Sequence, residues 1–338
     1  MRYKQAETSN NLLAKQLNHP HIDPELLDAV SQLQSVLGES TCFNLDDLAT
    51  AREIVASMAQ AGKLAAPPRP SVLIERSSFH DSDLDIDVGV QTYTPKSNAE
   101  PQAAILYIHG GGYVFGAADQ AEAKLSAWCE DLNVFIVSVD YRLAPEHPFP
   151  AGLFDCFATL KWLANSTSKN EFNFSQIAVV GDSAGGGLAA GLCLYARDHS
   201  DIEIAFMGLV YPMIDHTNIK PADKDNADTL LWSRANNKFG WEAYLGKHID
   251  KEMLQYAAPA TATNLSNLPP CYITVGDQDL FYQENQQFAE DLKSANIETN
   301  IDVYAGGFHG FATVAPEAAI SKRFNKNLFT ALRNALTA

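Results

Sequence analysis

The stretch Ile177-Ala-Val-Val-Gly-Asp-Ser183-Ala-Gly-Gly-Gly-Leu188 decides the reading of this chain. Four apolar residues, Ile177 to Val180, run without alternation, the pattern of a parallel strand covered on both faces. Gly181 and Gly185 flank Ser183 at minus two and plus two. That spacing suits a nucleophile at the tip of a sharp strand-to-helix turn, where only residues without a β-carbon fit beside it. The helix expected from Ala184 to about Arg197 points its amide dipoles at the serine and favours negative charge there.

A second motif lies upstream. Ala103-Ala-Ile-Leu-Tyr-Ile108 reads as another buried strand and runs into His109-Gly-Gly-Gly112-Tyr113. Acyl transfer at a serine creates an oxyanion that backbone N–H groups must meet. Three glycines after a strand let main chain approach a reacting carbonyl, which assigns the oxyanion hole to the amides of Gly111, Gly112 and Ala184. His109 is read as fixing the loop by hydrogen bonding, without proton transfer. A phosphate cradle is the rival use of such glycines. The chain lacks the Gly-Lys-Ser/Thr that would follow one, and lacks a Gly-x-Gly-x-x-Gly with its downstream acid.

A serine nucleophile needs a base and an acid to orient it, in the chain order Ser, acid, His for this kind of turn. His309 lies downstream between glycines, in Ala305-Gly-Gly-Phe-His309-Gly-Phe311, directly after the apparent strand Asn300 to Tyr304. His199, His216 and His248 are also downstream, but none follows a strand, and they read as loop or surface residues. The acid belongs at the exit of the strand Pro270-Cys-Tyr-Ile-Thr-Val275, where Asp277 and Asp279 compete. Asp279 is preferred because Leu280-Phe281 would pack inward and leave its carboxylate facing the site. Asp277 stays open.

Between these motifs, Val134 to Asp140 reads as a third buried strand. Tyr141-Arg-Leu-Ala-Pro-Glu-His-Pro-Phe-Pro150 is too rich in proline for a helix before Ala151. Arg142, Glu146 and His147 are expected to tie this loop beneath the site. A helix over 151–164 should turn Phe154, Phe157, Leu160 and Trp162 partly to the core. Two segments within residues 71–94 alternate apolar and polar, as antiparallel strands at a sheet edge do. From residue 103 strands and helices alternate, which implies right-handed crossovers and an α/β architecture of about eight strands, mostly parallel. Ala65-Ala-Pro-Pro-Arg-Pro70 is linker-like, and a last helix near Pro316 to Leu336 should cover one face.

Composition narrows the partners. The formal net charge of −17, from 24 Lys and Arg against 41 Asp and Glu, would be repelled by a phosphate backbone and excludes nucleic acid. It equally disfavours docking on an anionic membrane. No run of eighteen apolar residues occurs and the N-terminal residues lack a signal peptide's apolar stretch, so a cytoplasmic location is expected. Cys42, Cys129, Cys156, Cys193 and Cys271 are widely spaced without a Cys-x-x-Cys, and read as reduced core residues. No metal or cofactor is called for.

Taken together, the motifs resemble the bacterial hormone-sensitive-lipase-type carboxylesterases, which are α/β-hydrolases with a Gly-Asp-Ser-Ala-Gly elbow. The matching pieces are His109 to Gly112, Asp140 to Ala151, Gly181 to Gly186, Gly276 to Glu284 and Phe308 to Phe311, in the family's order and spacing. A second acid at Asp277 departs from the usual pattern before the triad aspartate. The resemblance implies a triad of Ser183, Asp279 and His309, and a sheet with helices on both faces under a helical cap. Residues 1–50 would supply the N-terminal part of that cap, residues 51–338 the catalytic domain, and about 212–248 a cap insertion. Leu12, Leu13 and Leu17 carry the first helical spacing of the cap. In the insertion, Trp232, Phe239, Trp241 and Tyr244 read mainly as cap packing, and Met213, Ile214 and Trp232 are the candidates for substrate contact.

The activity implied is hydrolysis of short- to medium-chain esters, with a homodimer through the last strand allowed by analogy. An amidase, peptidase or lactone hydrolase on the same triad is the alternative. A non-catalytic receptor of this fold is a third reading, disfavoured because such relatives lose the histidine kept here as His309.

Overall fold

In the computed structural model, residues 21–38, 41–97, 101, 103–168, 174–219 and 230–336 are described. The strands are β1 (Val72–Asp81), β2 (Ile86–Pro95), β3 (Ala103–Ile108), β4 (Phe135–Asp140), β5 (Gln176–Asp182), β6 (Phe206–Val210), β7 (Cys271–Gly276) and β8 (Thr299–Tyr304). They form one sheet in the order β1-β2-β4-β3-β5-β6-β7-β8. The hairpin β1–β2 is antiparallel, as is the β2–β4 pair, and every pairing from β4 onward to β8 is parallel. The alternating segments near the N-terminus are thus the antiparallel edge, and the unbroken apolar runs are the centre. β3, β6 and β7 are buried at every residue, because helices cover both their faces.

The helices are α1 (Leu27–Leu37), α2 (Leu48–Ala65), α3 (Glu122–Leu132), α4 (Ala151–Ser168), α5 (Ala184–His199), α6 (Arg234–Leu245), α7 (Leu254–Ala257), α8 (Tyr282–Ser294), α9 (Phe311–Val314) and α10 (Ala319–Leu336). Two apolar clusters fill the space on either side of the sheet. One gathers α4, α5 and α8 with β5 and β6 through residues such as Leu153, Leu160, Leu188, Leu192 and Phe288. The other gathers α1, α3 and α10 through Leu27, Val30, Leu125, Trp128, Phe324 and Leu328. In α4, Phe157 and Leu160 are buried while Phe154 and Trp162 are only half-buried, so the helix turns a broad face to the core. The last helix starts at Ala319, three residues later than the sequence pattern suggests. All five cysteines are buried and none forms a disulfide.

The excursion between β6 and β7 carries the insertion. Of its residues, 220–229 lie outside the described part, as do Leu12, Leu13 and Leu17 of the N-terminal segment. α6 is closed at its start by a capping box between Ser233 and Asn236. Trp241 and Tyr244 on α6 pack on Tyr113, with Tyr244 stacked at 3.8 Å, while Phe239 is half-buried. The N-terminal segment meets this insertion directly: Asn236 Nδ2 donates to the Phe43 carbonyl at 2.8 Å, and Leu231 N to the Thr41 carbonyl.

The proline-rich loop after β4 is tied down by two of the three residues expected to hold it, Arg142 and Glu146, but not by His147. Arg142 grips the buried Asp155 of α4 through Nε and Nη2, with its own main-chain N–H on the same carboxylate. Arg52 of α2 pairs with Glu146 and donates to the carbonyls of Val114 and Ala144. The peptide bonds before Pro145 and Pro150 are cis. The His147 side chain is exposed.

Asp155 is 1% exposed, so deleting its cation strands a buried charge. Arg142→Ala is therefore expected to lower stability by about 3 kcal/mol in urea unfolding, at the modest end for such a pair because the guanidinium is partly solvated. A loss under about 0.5 kcal/mol, the range of an ordinary surface change, would contradict this role.

Candidate active site

Ser183 sits between β5 and α5 with φ 56° and ψ −119°, a left-handed conformation costly for a residue with a side chain. The turn is held by its own main chain. Ser183 N donates to the Val210 carbonyl at 2.8 Å, and the Ser183 carbonyl accepts from Gly187 N and Met213 N, each at 3.0 Å. A Cβ on Gly181 would run into the Gly185 carbonyl, and one on Gly185 into the carbonyls of Ile108 and His109. The two flanking glycines are thus required by close approach of main chain, not by their own torsions.

Two loops bring the partners to the serine. After β8, His309 is carried by the loop 305–310, and its Nε2 lies 2.9 Å from Ser183 Oγ. After β7, Asp279 Oδ2 lies 2.8 Å from His309 Nδ1. With that carboxylate holding the Nδ1 proton, Nε2 is the acceptor of the serine hydroxyl. The three residues are 6–7% exposed. Phe281 N donates to the other oxygen of Asp279, and the rings of Phe281 and Tyr211 stand edge-on to the imidazole at 5.1 and 4.7 Å. Asp277 faces elsewhere. Its Oδ1 accepts from Gly306 N at 2.7 Å and from Gln278 Nε2, which ties the β7 exit to the histidine loop.

The three-glycine loop leans against the elbow from the other side. Gly110 is pressed on the Asp182 carbonyl, and Gly111 and Gly112 take φ values of 131° and 56°. The amides of Gly111, Gly112 and Ala184 donate to no main-chain carbonyl among the described residues. Ala184 is the first residue of α5, where an amide has no partner inside the helix. His109 is buried behind the loop, with Nδ1 at 2.9 Å from the Gly110 carbonyl and its ring stacked on Tyr141 at 4.2 Å. Burial lowers its pKa and keeps it neutral, which suits a loop anchor.

Of the three residues singled out for substrate contact, Met213 and Ile214 are fully buried and Trp232 is 3% exposed. Met213 is bound at both main-chain ends, its N–H to Ser183 and its carbonyl to the Tyr113 hydroxyl at 2.9 Å. Ile214 N donates to Glu284 Oε1. Trp232 lies with its indole where a Cβ on Gly112 would point. Leu231 beside it approaches Gly310 in the same way, so this short stretch spans the serine from the glycine loop to the histidine loop.

Several participants escape a sequence reading. Tyr113 has φ 67° and braces Met213, and nothing but its place after three glycines marks it. Tyr211, also at positive φ, lines the histidine. Glu284 is buried among three donors, and desolvation pushes its carboxyl up to about 8 against their pull. The spacing Glu284, Phe288, Leu292 puts it on the core face of α8, and that was the available sign. No group of three or more His, Cys, Asp or Glu side chains that would hold a metal occurs among the described residues.

Comparison with known proteins agrees with this geometry. A model of the alpha/beta hydrolase fold matches residues 105–313, more than half of the chain. The chain belongs to this family. Carboxylesterase NlhH of Mycobacterium tuberculosis is 32% identical over 272 residues, 77% of this chain and 84% of that protein. Esterase LipI of the same organism is 35% identical over 248 residues, 70% of this chain and 77% of its own length. The structure of a bacterial heroin esterase superimposes with a TM-score of 0.86 at 34% identity, covering 94% of this chain and 99% of that one. Within the α/β-hydrolases the chain falls in the hormone-sensitive-lipase-type carboxylesterases.

Asp279→Asn should leave the fold intact and cut kcat on a chromogenic ester by about 10⁴, because the imidazole would lose its tautomer control. Asp277→Asn should cost less than about tenfold, since it touches no reacting group. Steady-state kinetics of the two variants side by side checks the assignment, and an equal loss in both would overturn it.

Proposed function

We propose that this chain is a carboxylic ester hydrolase acting on small-molecule esters of short to medium acyl length. The observation that carries the reading is the unbroken line from Asp279 to His309 to Ser183, at 2.8 and 2.9 Å, beneath three unspent amides. His309 takes the proton of Ser183 as the oxygen attacks the ester carbonyl. The C–O bond forms, and the tetrahedral oxyanion is met by the amides of Gly111, Gly112 and Ala184. His309 then gives its proton to the departing alcohol, leaving an acyl-serine. Water, deprotonated by the same imidazole, attacks that ester and releases the acid. Asp279 stabilises the imidazolium in both halves without itself taking the proton.

The substrate enters under a cap built from the N-terminal helices and the insertion between β6 and β7. Its contacts with the loops on either side of the serine support that division: Trp232 stands against Gly112 and Leu231 against Gly310, and Phe43 packs on Phe115, which packs in turn on Trp232. Of the three candidates for substrate contact, Trp232 walls the acyl site through its ring, while Met213 and Ile214, fully buried with their main chain committed to Ser183, Tyr113 and Glu284, support that wall from behind. No helix among the described residues is long and apolar enough to cross a membrane. Five buried cysteines outside any disulfide agree with a reducing compartment such as the cytoplasm. The exposed outer edge of β8, with Val303 at 40% exposure, is the surface through which two copies would pair.

Hydrolysis of p-nitrophenyl esters from acetate to palmitate, wild type beside Ser183→Ala, tests the reading. Turnover should peak at short chains and fall by about 10⁴ or more in the variant. A folded wild type that releases no p-nitrophenol at any length would refute it.

A further inference from the structure

The strap that leaves β6 is fastened along its length by the helix that follows the triad aspartate. Glu284 and Asn285, in the first turn of α8, are 8% and 0% exposed. Asn285 Nδ2 donates to the Pro212 carbonyl at 2.7 Å. Glu284 Oε1 accepts from the N–H groups of Ile214 and Asp215 at 2.9 and 3.2 Å, and its Oε2 accepts from Asn218 Nδ2 at 2.6 Å. Between them, Met213 N is already committed to the Ser183 carbonyl. The strap is thus pinned alternately to the nucleophile's turn and to the acid's helix.

From Asn218 the bonds continue outward. Its Nδ2 also reaches the Leu280 carbonyl, one residue after Asp279, at 3.1 Å, and its Oδ1 accepts from Arg234 Nη1 at 2.8 Å. Its carbonyl accepts from Asn237 Nδ2 at 2.8 Å, and Asn237 Oδ1 accepts from Trp232 Nε1 at 3.3 Å. Asn237 is fully buried on α6. At the far end the Trp232 indole occupies the space beside Gly112, one of the glycines of the loop proposed above to meet the oxyanion.

We propose that Glu284 is a positioning residue for acyl selectivity, which through Asn218 and Asn237 fixes the Trp232 indole against the oxyanion loop. Glu284 itself touches no substrate atom. Its burial would be wasteful for a residue that only closed a helix end, since an apolar side chain there would avoid the desolvation cost. A carboxylate is the one side chain that offers acceptors on both oxygens to three donors facing it from one side. The same buried group registers two separate pieces, the acid's helix and the cap, so a shift of either moves the wall of the site. The inference rests on the esterase reading and adds to it the residue that sets how long an acyl chain the wall admits.

The test uses Glu284→Gln, which keeps shape and volume but must face one of the three donors with an amide N–H. The assay runs above the Glu284 midpoint, where the carboxylate is ionised. Two quantities are read: the ratio of kcat/KM for p-nitrophenyl octanoate to that for the acetate, and the Trp232 indole N–H resonance, assigned by its absence in Trp232→Phe. The expected result is a change in the ratio of about fivefold, below the tenfold or more that one methylene is worth in a fitted pocket, together with a displaced indole resonance. Adding Asn218→Asp gives the new amide an acceptor and keeps one for Arg234, but gives up the bond to the Leu280 carbonyl, so it should return both quantities only part of the way toward wild type. If Glu284→Gln does not fold, Asn218→Ala carries the same two readings. A folded variant that lowers kcat/KM by one common factor on both esters, with the indole unmoved, would overturn the proposal. A wild type without esterase activity would instead remove the reading beneath it, and the indole resonance alone would then decide the relay.

Discussion

The positive φ of Ser183 is the constraint on which the rest of the site depends. An L-residue held there costs on the order of 1–3 kcal/mol, and the surroundings must over-determine it. They do so through main chain. Val210 and Met213 of the neighbouring strand and strap fix the serine's own N–H and carbonyl, while Gly181, Gly185 and the end of β3 close around it with no room for a β-carbon. Moving any one of these would relax the serine toward ordinary torsions and take its hydroxyl off the sheet's edge. The same crowding packs the three-glycine loop against the turn that opens α5.

Parallel strands then do the positioning of the rest. The histidine, the aspartate and the glycine loop all leave the sheet at the C-terminal ends of their strands, β8, β7 and β3, because successive parallel strands end on the same side. The antiparallel hairpin contributes no residue to this cluster. Its outer strand is largely exposed, and its register against β4 serves to close one side of the sheet. Polar clamps outside the triad, Arg142 with Asp155 and Arg52 with Glu146, fasten the proline-rich loop on which the glycine loop rests.

The strands, the nucleophile and the histidine were legible because each follows from short-range chemistry. An unbroken apolar run must be covered on both faces, and glycines at fixed offsets from a serine permit only a sharp turn. The choice between Asp277 and Asp279 was less secure from sequence, since the two carboxylates are two residues apart and only the packing of Phe281 and the grip of Gly306 separate them. Tyr113, Tyr211 and Leu231 were not legible, because their roles arise from positive torsions and from neighbours far along the chain. Trp232 is visible in sequence as an aromatic of the insertion, but its place against Gly112 depends on the path of the strap after β6, which no local pattern encodes.

A covalent probe of the nucleophile addresses the central claim most directly. A p-nitrophenyl phosphonate should transfer its phosphonyl group to Ser183 and release one equivalent of p-nitrophenol. Mass spectrometry of the digested protein should then find the added mass on the peptide that contains Ser183, and on no other. The adduct should be absent in Ser183→Ala and should form far more slowly in His309→Ala. Stoichiometric labelling of a different residue, or labelling of Ser183 that proceeds as fast without His309, would contradict the account.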